Sequence, residues 1–68
     1  MVMQPVSSSN LSSVGYENGT LYISFTNGSL YAYYNVPATV YSNLMSAWSH
    51  GEYFHAHIKG VYRYERLG

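Results

Sequence analysis

Apolar and polar positions alternate along residues 21–25, with Leu21, Ile23 and Phe25 set against Tyr22 and Ser24. A period of two marks a strand with one buried face, and β-branched or aromatic residues dominate the run. The run Leu30, Tyr31, Ala32, Tyr33, Tyr34 follows Asn27-Gly28, a pair that tolerates positive φ. A β-hairpin is predicted, and the rest of the chain reads as a cover for one of its faces. The pattern alone leaves the register open. A two-residue Asn27-Gly28 loop would set Leu30, Ala32 and Tyr34 beside Ile23 and Phe25, whereas a three-residue loop with Gly28 left-handed would set Tyr31 and Tyr33 there.

Upstream, Ser12, Val14 and Tyr16 alternate with Ser13, Gly15 and Glu17 and end on Asn18-Gly19. A type I′ turn at that pair faces Glu17 with Thr20, Tyr16 with Leu21, Val14 with Ile23 and Ser12 with Phe25, which gathers the apolar set on one face. Residues 1–9 are mostly polar or turn-forming, Pro5 lacks a backbone donor, and only Val6 suggests a core contact, so this segment is expected to be loosely held.

Beyond the hairpin the period changes. Val36-Pro37 marks a helix start, and Val40, Tyr41, Leu44, Met45 and Trp48 recur at helical spacing. Ser49-His50-Gly51-Glu52 fits a capping box, so Ser49 should end one helix and cap the next, whose buried stripe is Phe54 and Ile58 and whose left-handed terminus is Gly60. Trp48 and Phe54 are expected to clamp the junction of the two helices. Residues 61–65 alternate again, as a short fourth strand or a strapped-down tail. The predicted class is α+β in one domain: a three-stranded antiparallel meander over residues 12–17, 20–25 and 29–34, helices at 37–48 and 50–58 on one sheet face, and a short extended C-terminal tail.

Composition adds constraints. At 68 residues the chain is near the lower size for a self-sufficient core, and it has no cysteine, hence neither disulfides nor a cysteine zinc site. Packing must suffice, and nine tyrosines, two phenylalanines and one tryptophan supply it. Three basic residues balance three acidic ones, a poor footprint for gripping a phosphate backbone, although Lys59, Arg63 and Arg66 all lie in the last ten residues. Neither a signal-peptide pattern nor an apolar run of about 18 residues occurs, so a soluble, cytoplasmic protein without membrane contact is expected.

Several of these elements carry a resemblance. Val14-Gly15-Tyr16-Glu17, Phe25-x-Asn27-Gly28, Tyr31-x-Tyr33, Val36-Pro37, Val40-Tyr41, Ala47, Ser49-x-Gly51-x-Tyr53-Phe54 and Ile58-Lys59-Gly60 stand in the order and spacing of the KTSC domain. The chain resembles that family from about Val6 to Tyr64. The family is named for its place at the C-terminus of some lysyl-tRNA synthetases and also occurs as small stand-alone proteins of bacteria and phages. Here His55 stands where the family often has Asn, and Lys59 where Arg is common. The resemblance implies no catalytic residues and no cofactor. It implies RNA or tRNA binding through the attachment to a synthetase, and it favours the register that sends Tyr31 and Tyr33 inward.

Candidate chemistry is correspondingly narrow. His50, His55 and His57 match no zinc spacing, because residues two apart on a helix point to opposite sides. Serines, threonines and histidines are many, yet none lies in a nucleophile motif, so no enzyme is expected. If Tyr31 and Tyr33 face inward, then Tyr22, Leu30, Ala32 and Tyr34 form an aromatic and aliphatic patch on the open sheet face, suited to base stacking or to a protein partner. Two function classes remain. One is an RNA-binding module with Tyr22 and Tyr34 stacking and Lys59, Arg63 and Arg66 meeting phosphates. The other is a protein-interaction module or small homo-oligomer, such as a phage-encoded accessory or inhibitor, that uses the open face.

Overall fold

The first hairpin forms as its sequence dictates. In the computed structural model, which describes all residues 1–68, Asn18 and Gly19 both take positive φ, 52° and 81°, the requirement of a type I′ turn. They join β2 (Leu11–Glu17) to β3 (Thr20–Phe25), with Glu17 opposite Thr20, Tyr16 opposite Leu21 and Val14 opposite Ile23. The expected fourth pair does not form. A bulge between Leu11 and Ser13 sets Leu11, not Ser12, opposite Phe25, and Ser12 is left exposed. The extra residue lets Leu11 and Val14, three apart, share the core face, where both are buried.

The second turn takes the three-residue form. Gly28 has a φ of 93° and donates its N–H to the Phe25 carbonyl, and the Asn27 carboxamide accepts from both the Ser29 amide and the Ser29 hydroxyl. In β4 (Leu30–Tyr33), Tyr31 therefore faces Ile23 and Tyr33 faces Leu21. Both tyrosines point to the side that the helices cover, as the resemblance implied.

Two further strands enlarge the predicted three-stranded sheet to five, in the order β1-β2-β3-β4-β5, every pair antiparallel. β1 (Gln4–Pro5) pairs with Val14 and Ser13, so the N-terminal segment is a sheet edge rather than a loose end, and Pro5 is tolerated because an edge strand can spare a donor. β5 (Tyr64–Arg66) pairs with β4, which makes the C-terminal tail the opposite edge.

On one face lie α1 (Ala38–Ser46) and α2 (His50–His57). Leu44 from α1, Phe54 from α2 and the residue after it, Ile58, meet Leu11, Val14, Leu21, Ile23, Tyr33 and Val36 in a single core. Tyr16 ties the corner, stacking on Tyr41 at 5.0 Å and donating its hydroxyl to the Val36 carbonyl. Ser49 caps α2, its hydroxyl accepting from the Glu52 amide, and Gly60 takes a φ of 77° beyond its end. No helix is long and apolar enough to cross a membrane.

Trp48 departs from expectation. α1 stops at Ser46 because Ala47 is extended, with φ of −67° and ψ of 145°, and that break turns the next side chain away from the helical stripe. Trp48 is fully exposed, while Phe54 is buried in the core. Trp48→Ala should thus leave the melting temperature of the parent nearly unchanged, since surface substitutions without buried partners stay within about 0.5 kcal/mol. Calorimetry on the two proteins checks this.

Candidate nucleic-acid interface

The two helices cover only part of the sheet. At the Phe25 end, α2 stands beside exposed strand, and a groove of about 700 Å³ opens between them. Its floor is aromatic because alternation in β3, β4 and β5 brings side chains of one face together: Phe25, Tyr31, Tyr33 and Tyr64, with Phe54 entering from α2. Tyr31 and Tyr33 stack with centroids 6.3 Å apart, and Tyr64 leans on both at 5.8 and 6.0 Å. Phe54 meets Phe25 and Tyr33 edge-on at 5.4 and 5.5 Å. The rim is polar, with Asn10, Thr26, Asn27 and His55, and Lys59 is the one Lys, Arg, Asp or Glu among the lining residues. A chain with no net charge thereby has a groove whose only formal charge is positive. Burial in this cluster, with the Tyr31 and Tyr64 phenols adding to it, pushes the Tyr33 hydroxyl up from 10.0 to about 12.

The residues singled out from sequence fall on two faces. Lys59 lines the groove, and Arg66 stands opposite Tyr31 on β5, so it shares the groove's side of the sheet. Arg63 lies elsewhere, with its guanidinium 5.4 Å from the centre of the Tyr34 ring. Tyr34 and Tyr22 alternate out of the core onto the face away from the helices, and Tyr34 donates its hydroxyl to Glu65 at 2.7 Å. That hydrogen bond is the main reason the Tyr34 phenol is raised above its ordinary range.

The outer face is less open than the alternation implied. Ala32 is buried, and Tyr22, Leu30 and Tyr34 are partly buried. Ala32 lies between Tyr22 and Glu65 on the neighbouring strands, so taller side chains shade it. Farther along the same row, Met1 and Met3 lie over Gly15, where a Cβ would come within 2.6 Å of the Met3 sulfur. The N-terminal segment thus roofs part of a face that the sequence left bare.

The histidines separate as well. His50 Nδ1 lies 2.8 Å from the Leu44 carbonyl at the end of α1, His57 packs on the Tyr53 ring at 4.5 Å, and His55 faces the groove. Tyr64 in the groove and the exposure of Trp48 are not foreseen from sequence, and Phe25, Tyr31, Tyr33 and Phe54 are foreseen only as core residues. The alternation of Tyr62 and Tyr64 was a signal for the first. Nothing local marks a tryptophan at helical spacing as exposed.

Comparison with known proteins gives this geometry a context. A description of the KTSC domain matches residues 7–62. The crystal structure of a KTSC domain protein from Yersinia pestis superimposes with a TM-score of 0.93 at 41% identity, covering 98% of this chain and 97% of that one. A small protein of Tsukamurella paurometabola is 38% identical over 63 residues, 90% of this chain and 94% of its own length. A lysine–tRNA ligase of a Nostoc species is 50% identical over 48 residues, 71% of this chain. The chain spans 9% of the length of that ligase.

Proposed function

This chain belongs to the KTSC domain family, and from that premise we propose that it is a non-catalytic RNA-binding module, tRNA among its ligands, which holds an unpaired strand in the aromatic groove. The observation that carries the reading is the groove's composition, an aromatic floor with one cation and no carboxylate. Bases present flat π-faces that stack on aromatic rings whatever their sequence, and a lysine beside them meets the phosphate that links them. The occurrence of a related segment in lysine–tRNA ligases supports RNA as the ligand.

Titration of labelled tRNA and of short single strands at several salt concentrations tests it, by anisotropy. With Lys59 and Arg66 on the groove side, the slope of log affinity against log salt should not exceed roughly 1.4 in magnitude, at about 0.7 per contact. Lys59→Gln should lower affinity and flatten that slope. Tyr64→Ala should lower affinity about 5-fold or more with the slope unchanged, because stacking releases no counterions. Losses confined to Tyr22→Ala, Tyr34→Ala and Arg63→Ala would move the strand to the outer face. The balanced charge of the chain favours a second reading, a protein-interaction module or homo-oligomer built on that outer face. If no RNA binds at low salt and Tyr22→Ala or Tyr34→Ala breaks an oligomer seen by solution mass, that second reading replaces the first.

A further inference from the structure

A second cleft, of about 680 Å³, lies at the other end of α2 and holds Trp48. It is contiguous with the groove, since Asn10, Gly51 and His55 line both. The two ends of this path differ in charge. Lys59 stands at the groove end, just past α2, and Glu52 stands beside Trp48, in the first turn of α2. Of the three acidic side chains, Glu17 lies 3.8 Å from the terminal ammonium and Glu65 accepts from Tyr34, while the Glu52 side chain makes no hydrogen bond and no ion pair. An exposed indole and an unpaired carboxylate thus line the same cleft.

Resting on the RNA reading above, we infer that the Trp48 cleft is the far end of the same strand-binding track and selects guanine there. An anionic side chain repels phosphate, so this end takes a base while the backbone runs toward Lys59. The base stacks on the indole, whose faces no other ring of the chain covers. Glu52 lines the same cleft and is proposed to meet the edge of that base. An ionised carboxylate only accepts hydrogen bonds, and guanine offers two adjacent N–H donors on its Watson–Crick edge where adenine offers one beside an acceptor nitrogen. Duplex RNA hides that edge, so the preferred ligand is single-stranded.

Trp48 is the only tryptophan, so its fluorescence reports the cleft directly. Oligouridylates carrying one guanosine should quench it, protect it from acrylamide, and bind at least about 5-fold more tightly than the same oligomers carrying adenosine. Glu52→Gln should abolish that preference. Trp48→Ala should weaken binding by about 5- to 150-fold, the range for one lost base–aromatic stack. Oligomers that bind while Trp48 fluorescence stays constant, or that bind equally with guanosine and adenosine, overturn the inference and leave the groove reading intact. Failure of every oligomer and of tRNA to bind at low salt removes both. An arginine-rich peptide that quenches Trp48 where oligonucleotides do not would assign the cleft to a cationic protein segment instead.

Discussion

Phe54→Ala is expected to remove about 3–5 kcal/mol of folding stability, the usual cost of deleting a buried phenylalanine with its cavity left behind. Phe54 is the side chain through which α2 reaches the sheet, 7% exposed, with its ring edge-on to Phe25 and Tyr33 and its neighbours along the stripe Ile58 and, across the helix pair, Leu44. Phe54 is the only fully buried residue that α2 contributes, with Tyr53 packed beside the core as its one partly buried hydrophobic neighbour on that helix. At about 0.05–0.15 kcal/mol per residue, a domain of this size has roughly 3–10 kcal/mol in total, so the substitution takes a large part of it. Phe54→Leu keeps most of the volume and should cost about 1.5 kcal/mol or less. Urea unfolding of the three proteins gives the comparison, and an alanine variant with the midpoint of the parent would show that α2 contributes little to the core.

Stability should also fall steeply in alkali, and Tyr33 should account for roughly 2–3 kcal/mol of the fall. In the unfolded chain its phenol loses a proton near pH 10, whereas in the folded protein burial holds the proton until about pH 12. Between those values the native state binds more protons than the unfolded one, so stability declines as pH rises and is unaffected by this group below pH 9 or so. Tyr33→Phe keeps the ring and removes the ionisation. Urea midpoints measured across this range should therefore converge less steeply to zero in the variant, and identical pH profiles for the two proteins would contradict the burial of that hydroxyl. The same experiment bears on the groove, because Tyr31 and Tyr64, whose phenols reinforce the shift, form its floor with Tyr33.

Local chemistry determined much of this molecule. The Asn18-Gly19 turn, the Ser49-to-Glu52 cap and the left-handed Gly60 each depend on residues within one turn of one another, where steric limits on φ and short hydrogen bonds decide the outcome, whereas local chemistry left the length of the loop at Asn27-Gly28 open. The inward face of β3 and the α2 stripe followed from period alone, because Leu21, Ile23, Phe54 and Ile58 lie on unbroken repeats. The motif order and spacing that resembled the KTSC domain pointed to the family that the comparisons then showed.

Tertiary structure decided the rest. Leu11 reached the core only through a bulge, and a bulge is a response to the partner strand, so no periodic reading of residues 11–17 could include it. β1 is too short to show a period, and the alternation at residues 61–65 left a strand and a tail both open; the two segments pair because β2 and β4 present unpaired backbone groups at sheet edges. Lys59 and Arg63, four residues apart, lie on opposite faces because the chain crosses from the end of α2 to the edge of the sheet between them. Trp48 sits at the spacing of a core residue and yet stands in solvent, since a single extended residue at Ala47 ends the helix before it. The groove itself is a property of coverage: a helix of eight residues spans about 12 Å, less than the width of the sheet beneath, and past its end Tyr64 stays exposed and Phe25 and Tyr31 partly so, while Tyr33 is buried.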